Sequence, residues 1–327
     1  MLFVEFDLSG AEWVVVAYLS QDPDMLRVVE EGKSPHVVTG ALISGAPEEF
    51  VIREHKLVGS QSDPTIIANA RRELGAIPPE VFLPRSMSIR QAGKKSNHGL
   101  NYGMKYRRFA LENEMLEADA HPIVQAYTTQ AYPCIPKWWA SIREELRKNR
   151  RTLTNCFGRR AQLLGEWGDP LFNAAYSFKP QSTVVDVCNT AMIKCYQDET
   201  LDFQLGAEVH DSLLLMFPTP NNRDEWIGLA RDVHVVAKKH MKTPIIYNDR
   251  VFTLGVDQKL GINWGDMHEF KLGGSLVETA EAMQIAYDAA ARRGAPSLEE
   301  LLAAEEAEAE WPRTSSENSS VQDQLAG

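Results

Sequence analysis

A chain of 327 residues with 44% hydrophobic and 24% charged side chains has an ordinary globular composition and ample length for a core. No stretch approaches the ~20 apolar residues that cross a bilayer, and no basic segment followed by an apolar one opens the chain, so neither a membrane span nor a leader is expected and the cytoplasm is the expected compartment. The net charge of −11 argues against a nucleic-acid partner until it is located: residues 271–327 hold 4 basic and 11 acidic side chains, whereas residues 85–160 hold 15 Lys/Arg against 6 Asp/Glu.

Such a basic middle is the electrostatic footprint of a phosphate ligand, and a solvated helical surface accounts for it equally well. Cys134, Cys156, Cys188 and Cys195 show no CxxC spacing and read as reduced thiols.

In chain order, Val4 to Asp7 reads as the end of a buried strand and Ala11 to Leu19 as a helix packed on it. Residues 23–44 look helical, with Pro23 near a helix start and a break at Ser44-Gly45-Ala46-Pro47. Residues 45–89 are less regular, with a short helical stretch near 65–75. A long helix is expected from Ser88 to Tyr102, and others over 105–118 and 135–150. Phe203 to Phe217 reads as a hairpin bent at His210-Asp211, followed by an amphipathic helix over 223–241 and a strand over Val251–Val256. The compact part is expected to end after Asn263-Trp264. Beyond it come an alanine-rich helix over 275–292, a second acidic helix opened by Ser297 and Glu300, and a polar tail from Pro312 with the composition of disorder.

Two places carry chemistry. Arg90, Lys94, His98 and Tyr102 recur at i, i+4 steps and share one helix face, with Gly99 and Gly103 expected to leave the backbone accessible. Two cations one turn apart suit a polyphosphate, and a flat ring further along suits stacking on a base. Asp7 ends one apolar strand and Asp211 bends an apolar hairpin, where a carboxylate is costly unless solvated, paired or metal-bound. Carboxylates from two strands could hold two Mg²⁺ ions ~3.5–4 Å apart for an in-line phosphoryl displacement. Two unrelated turn aspartates fit the spacing as well.

The segments DLSGAE from Asp7 to Glu12, R-x-x-x-K-x-x-N-x-G-x-x-Y-G from Arg90 to Gly103, and VHDS around Asp211 resemble, in order, motifs A, B and C of family A DNA polymerases. Gly32-Lys33 with His36, Tyr132-Pro133, Gly158-Arg159-Arg160, Gln181 and Asn263-Trp264 are similar to further segments of that family, so the likeness covers about residues 2–270. It implies an α+β fold: a small antiparallel palm sheet with helical fingers, lacking thumb and exonuclease domains. Residues 1–30 and 131–270 would be palm, 31–130 fingers with an insertion over 45–85, and 271–327 an acidic, partly disordered tail.

The same resemblance implies template-dependent addition of dNTPs to a primer 3′-OH on primer-template DNA, in a bacterium or phage-infected cell, with two Mg²⁺ ions. Asp7, Asp211 and the Leu8 carbonyl would bind metal. Arg90, Lys94 and His36 would contact the triphosphate, with Lys94 protonating the departing pyrophosphate. Glu12 would act as the steric gate against a ribose 2′-OH, His98 would pack on the incoming sugar, and Tyr102 would stand where the templating base enters. Gln181 would read the minor groove, with His210 near the primer terminus and Arg159 on DNA.

Three positions depart from the family pattern. Ser212 stands where Glu is usual, His98 replaces Phe or Tyr, and Gly10 replaces Gln. HDS occurs in single-subunit phage RNA polymerases, so a ribonucleotide polymerase or primase stays open as an alternative, while Glu12 and the form of motif B favour deoxynucleotides. Nothing resembles a thumb or a proofreading exonuclease, which leaves a second alternative: the catalytic half of a split polymerase, with a separate chain supplying the rest.

Overall fold

Along the first strand, Leu2, Val4, Phe6 and Leu8 alternate with Phe3, Glu5, Asp7 and Ser9. In the computed structural model, which describes residues 1–293, the first set is fully buried and the second half-buried, the period of two that a sheet with one core face demands. The chain runs β1 (Leu2–Ser9), α1 (Ala11–Ser20), α2 (Pro23–Glu30), α3 (Pro35–Ser44), α4 (Glu48–Val58), α5 (Pro64–Arg72), α6 (Ile89–Asn101), α7 (Tyr106–Asn113), α8 (Glu117–Ala126), a π-helical turn (Tyr127–Ala131) and α9 (Ile135–Lys148). It continues through β2 (Thr152–Thr154), β3 (Arg160–Gln162), α10 (Asp169–Gln197), β4 (Gln204–Val209), β5 (Ser212–Phe217), α11 (Arg223–Val235), a second π-helical turn (Val236–His240), β6 (Ile245–Tyr247), β7 (Arg250–Phe252), β8 (Gly255–Gly261), β9 (Met267–Phe270) and α12 (Leu276–Arg293).

The fold is α+β, as the resemblance implies. The main sheet has the order β4-β5-β1-β8-β9 with every pair antiparallel, and β1 lies at its centre. Register places Asp7 opposite Ser212 on β5 and opposite Asp257 on β8, so facing residues of three strands share the polar face. The β4–β5 hairpin turns at His210, held in the left-handed region at φ 57°, and Asp211 follows it.

Helices α3 and α6 cross at backbone contact. A Cβ on Gly93 would lie 2.2 Å from the His36 carbonyl oxygen, and one on Gly40 would lie 2.9 Å from that of Ile89. Asn97 fastens the crossing, accepting from Thr39 at 2.7 Å and donating to the Pro35 carbonyl at 3.0 Å. α6 begins where the Ser88 hydroxyl accepts from the Gln91 amide at 3.3 Å.

Several expectations change. The region 45–89 contains α4, hidden because its inward positions Val51, Glu54 and Val58 include a carboxylate, paired in the interior with Arg71 of α5. The 29-residue α10 contains Pro180, which breaks the expected pattern of a helix interior. Gly99 and Gly103 do not leave open backbone: Met104 packs against the first, and Asn173 and Tyr176 against the second. The compact part also does not end at Trp264. β9 adds a sheet edge, and α12 buries Ala280, Met283 and Ala290, with Tyr287 edge-on to Trp226 of α11. A capping box opens α12: Ser275 Oγ accepts from the Glu278 amide, and Glu278 Oε2 accepts from Ser275. The acidic helix from Ser297 and the tail from Pro312 lie outside the described residues.

Candidate active site

The strand end, the first turn of α1 and the inner face of α6 enclose a cavity of about 200 Å³, lined by Asp7, Leu8, Glu12, His36, Lys94, His98, Tyr102 and Asp211 among others. Asp7 and Asp211 meet because β1 and β5 are paired to their ends, where the Leu8 amide donates to the Asp211 carbonyl at 3.0 Å. Burial pushes the Asp7 carboxyl up to about 6, and Asp211, Glu5 and Asp257 add to it against Lys259. Asp211 is likewise raised by burial and by Glu12, with Lys94 and His210 opposing. Two carboxyls raised chiefly by burial, with further acidic neighbours beside each, form a cleft short of positive charge.

A divalent cation fits that donor set. The carboxylates are hard oxygen ligands, and Mg²⁺ is commonly held by one or two of them with water and substrate phosphate completing the shell. Among the described residues no group of three or more His, Cys, Asp or Glu could hold a metal, so the remaining ligands would come from the Leu8 carbonyl, water and substrate.

Glu12 organises the opposite side. It accepts from the Tyr102 hydroxyl at 2.6 Å and from Gln181 of α10 at 3.5 Å, and lies 3.4 Å from His98 Nδ1. Burial pushes Glu12 up, but the His98 and Tyr102 contacts outweigh it and hold the carboxyl below its ordinary range. His98 is raised in turn, first by its hydrogen bond to Glu12, and its ring stands edge-on to Tyr102. The Tyr102 ring is thereby locked under α6 and is largely buried. His36 is pushed down to about 4 by burial and then by Arg90 and Lys94, so any phosphate contact it makes is that of a neutral imidazole.

The basic stretch sorts into two kinds of cation. Lys105, Arg107, Arg108, Arg147, Lys148 and Arg159 are each paired with a carboxylate. Others, Arg90 and Lys94 among them, have no carboxylate partner among the described residues, and of these Lys94 is set apart by facing the cavity. Lys94 lines the cavity; Arg90 lies one turn before it, beyond the rim, beside His55. Arg159 is held by Asp186 of α10, and neither it nor His210 lines the cavity. Gln181 reaches the site through Glu12.

Sequence reasoning passed over Glu5, Asp257 and Ser9. Glu5 is two residues before Asp7 and so on its face, and the Ser212 hydroxyl donates to it at 3.3 Å. Ser9 donates to Asp257, which also accepts from Lys271 at 3.0 Å. The alternation of β1 signalled Glu5; Asp257 follows only from the β1–β8 register.

Comparison with known proteins gives concordant results. The family model described as DNA polymerase family A matches residues 78–266. The thermostable DNA polymerase I of Thermus aquaticus is 27% identical over 240 residues, covering 71% of this chain and 24% of that protein. DNA polymerase I of Treponema pallidum is 22% identical over 274 residues, covering 81% of this chain and 23% of the relative. The chain thus spans about a quarter of the length of these curated relatives. The POL domain of Pol1 from M. smegmatis, solved with DNA primer-template and dNTP, superposes with a TM-score of 0.59 at 19% identity over 81% of this chain and 40% of that one, a likeness of fold. No described helix is long and apolar enough to cross a membrane. With more than half of its length matched by the family model, and its three motifs converging on one cavity, the chain belongs to DNA polymerase family A.

Proposed function

We propose that this chain is the palm-and-fingers catalytic unit of a DNA-directed DNA polymerase, with residues 1–30 and 131–270 as palm, 31–130 as fingers and 45–85 as an insertion within them. The observation that carries the reading is the union of Asp7 and Asp211 across one cavity from Lys94, a cation without a carboxylate partner. Opposite charges on opposite walls match a polyphosphate substrate, for which Asp7 and Asp211 would hold a cation on one side while Lys94 meets phosphate on the other.

In the reaction, a primer 3′-oxygen forms a bond to the α-phosphorus of a dNTP, the bond to the pyrophosphate oxygen breaks, and the 3′-hydroxyl proton passes to solvent water. Asp7, Asp211 and the Leu8 carbonyl would hold two Mg²⁺ ions, which supply charge neutralisation and lower the pKa of the attacking hydroxyl. Lys94 and Arg90 bind and orient the triphosphate, and Lys94 gives a proton to the departing pyrophosphate. His36 contributes a neutral donor. Glu12, fixed by Tyr102, His98 and Gln181, stands where a 2′-hydroxyl would have to displace a satisfied carboxylate. Tyr102 marks the entry of the templating base, and Gln181, His210 and Arg159 contact the DNA, Arg159 by exchanging Asp186 for a phosphate. Positioning and fixed charge supply most of the rate.

The cytoplasm of a bacterial cell is the compartment we infer, supported by the bacterial relatives. A separate chain that helps grip DNA is a further part of the proposal. Primer extension by the purified chain, alone and with proteins encoded beside it, tests the polymerase activity and the need for a partner. Template-directed dNTP addition supports the polymerase; absence of extension under both conditions contradicts it. Processive synthesis by the chain alone contradicts the need for a partner.

A further inference from the structure

The α4–α5 segment grips the start of α6 through a buried polar network. Glu54 Oε1 accepts from Arg71 Nε at 2.9 Å and Nη2 at 2.6 Å, and Glu54 Oε2 accepts from the Ile89 amide, the first residue of α6, at 3.0 Å. Arg71 also donates to the Pro84 carbonyl at 2.6 Å and the Met87 carbonyl at 2.9 Å. Every polar group in this network has a partner, and the carboxylate at the helix N-terminus complements the dipole. The result fixes α4 against the turn of α6 that carries Arg90.

The next residue of α4 uses that placement. His55 Nδ1 is 2.9 Å from Ser88 Oγ, and His55 Nε2 is 3.4 Å from Arg90 Nη1. A guanidinium can only donate, so Nε2 must be the acceptor and the imidazole proton must sit on Nδ1, directed at Ser88. That tautomer requires a neutral ring. Burial and then Arg90 push His55 below its ordinary range, with Glu269 of β9 opposing, which agrees with neutrality.

We propose that His55 is a positioning residue for nucleotide binding: it holds the Arg90 guanidinium in one rotamer just beyond the rim of the cavity, one turn before Lys94, ready for the phosphate oxygens of an incoming nucleotide. An unrestrained arginine loses rotamer freedom when it binds, and a preordered one loses less. His55 needs no contact with substrate to act. The inference rests on the reading of Arg90 as a phosphate-binding residue, and gives the α4–α5 segment a part in the reaction that none of the three motifs records.

The test is a double-substitution cycle on the full chain with His55→Leu and Arg90→Ala, read as dNTP KM and kcat in primer extension and as binding of inorganic tripolyphosphate by calorimetry. His55→Leu should raise KM and weaken tripolyphosphate about three- to tenfold with kcat nearly unchanged. His55→Gln, which keeps an acceptor, should recover most of that loss, and thermal midpoints establish that each variant is folded. In the Arg90→Ala background, His55→Leu should have no further effect. Equal losses with and without Arg90, a loss confined to kcat, or no tripolyphosphate binding by the wild-type chain would each overturn the proposal. Tripolyphosphate binding without extension counts against the polymerase reading, and the binding cycle then decides this one alone.

Discussion

The strand face around Asp7 and the helix face around Lys94 solve opposite problems with opposite devices. On the sheet, pairing of β1 with β5 and β8 crowds Asp7 and Asp211 beside Glu5 and Asp257, and burial with mutual repulsion lifts Asp7 to about 6. On the helix, two glycines bring α3 and α6 to backbone contact, and Lys94 faces the cavity with no carboxylate partner among the described residues. One wall is short of positive charge and the other of negative. What marks the site is the placement of these uncompensated charges on facing walls of one cavity, not the lack of partners alone.

The largest expected effect comes from removing either sheet carboxylate. Asp7→Asn and Asp211→Asn should each lower the rate of primer extension at least ~10³-fold, because the proposed metal sites would lose a charged ligand. Single-turnover kinetics with each variant checks this, and near-wild-type rates would dissolve the contrast between the walls. On the opposite wall, Lys94→Ala should cost about 10²-fold in kcat, with Lys94→Arg recovering part of it if charge matters more than proton donation.

A structural ion pair should behave differently from these unpaired charges. Arg71→Met leaves Glu54 buried and unpaired, and a loss of about 3–5 kcal/mol in denaturant unfolding is expected. Replacing both partners with apolar residues should recover much of that stability. Little loss in the single variant would mean that α4 and α5 do not anchor α6.

Glu12→Ala sharpens the comparison from the sugar side. It frees Tyr102 and His98 and opens the space at the 2′ position, so the ratio of rNTP to dNTP incorporation should rise by tenfold or more, on the order of the cost of an unpaired buried polar group. If the wild type already prefers rNTPs, Ser212 rather than Glu12 reports the sugar specificity.

What was legible beforehand divides along physical lines. β1, the β4–β5 hairpin and α6 announce themselves because their periodicity is local: alternation ending at Asp7, two apolar runs about His210-Asp211, and a helical face starting at Ser88. α4 was hidden because Glu54 occupies an inward position that only a buried Arg71 makes tolerable, and no local pattern reveals a partner in another helix. α10 was masked by Pro180. α12 was read as a helix, but its docking on α11, β8 and β9 is tertiary packing that the segment's own pattern does not record. At the site, the motif residues could be named, whereas the Asp7–Asp257 register and the His55–Arg90 contact are tertiary facts without a sequence signature.

The smallest effect is one of stability and pH. Asp7 has a folded pKa raised above its unfolded value, so the native state binds the extra proton between about pH 4 and 6. Its contribution therefore becomes unfavourable as pH rises through that window and is fully unfavourable above it. Without divalent cations, Asp7→Asn should melt about 2–4 °C higher than wild type at pH 7, with the gap closing near pH 4. An equal gap at both values would show that Asp7 is not strained by its neighbours.

Calorimetric titration of Mn²⁺ into the wild-type chain and into Asp7→Asn and Asp211→Asn at pH 7.5, with primer-template and a non-hydrolysable dNTP analogue present, tests the central claim most directly. Saturable binding by the wild type that is lost in both variants is the predicted result. Unchanged binding in either variant would contradict the assignment of Asp7 and Asp211 as the pair that holds the metal.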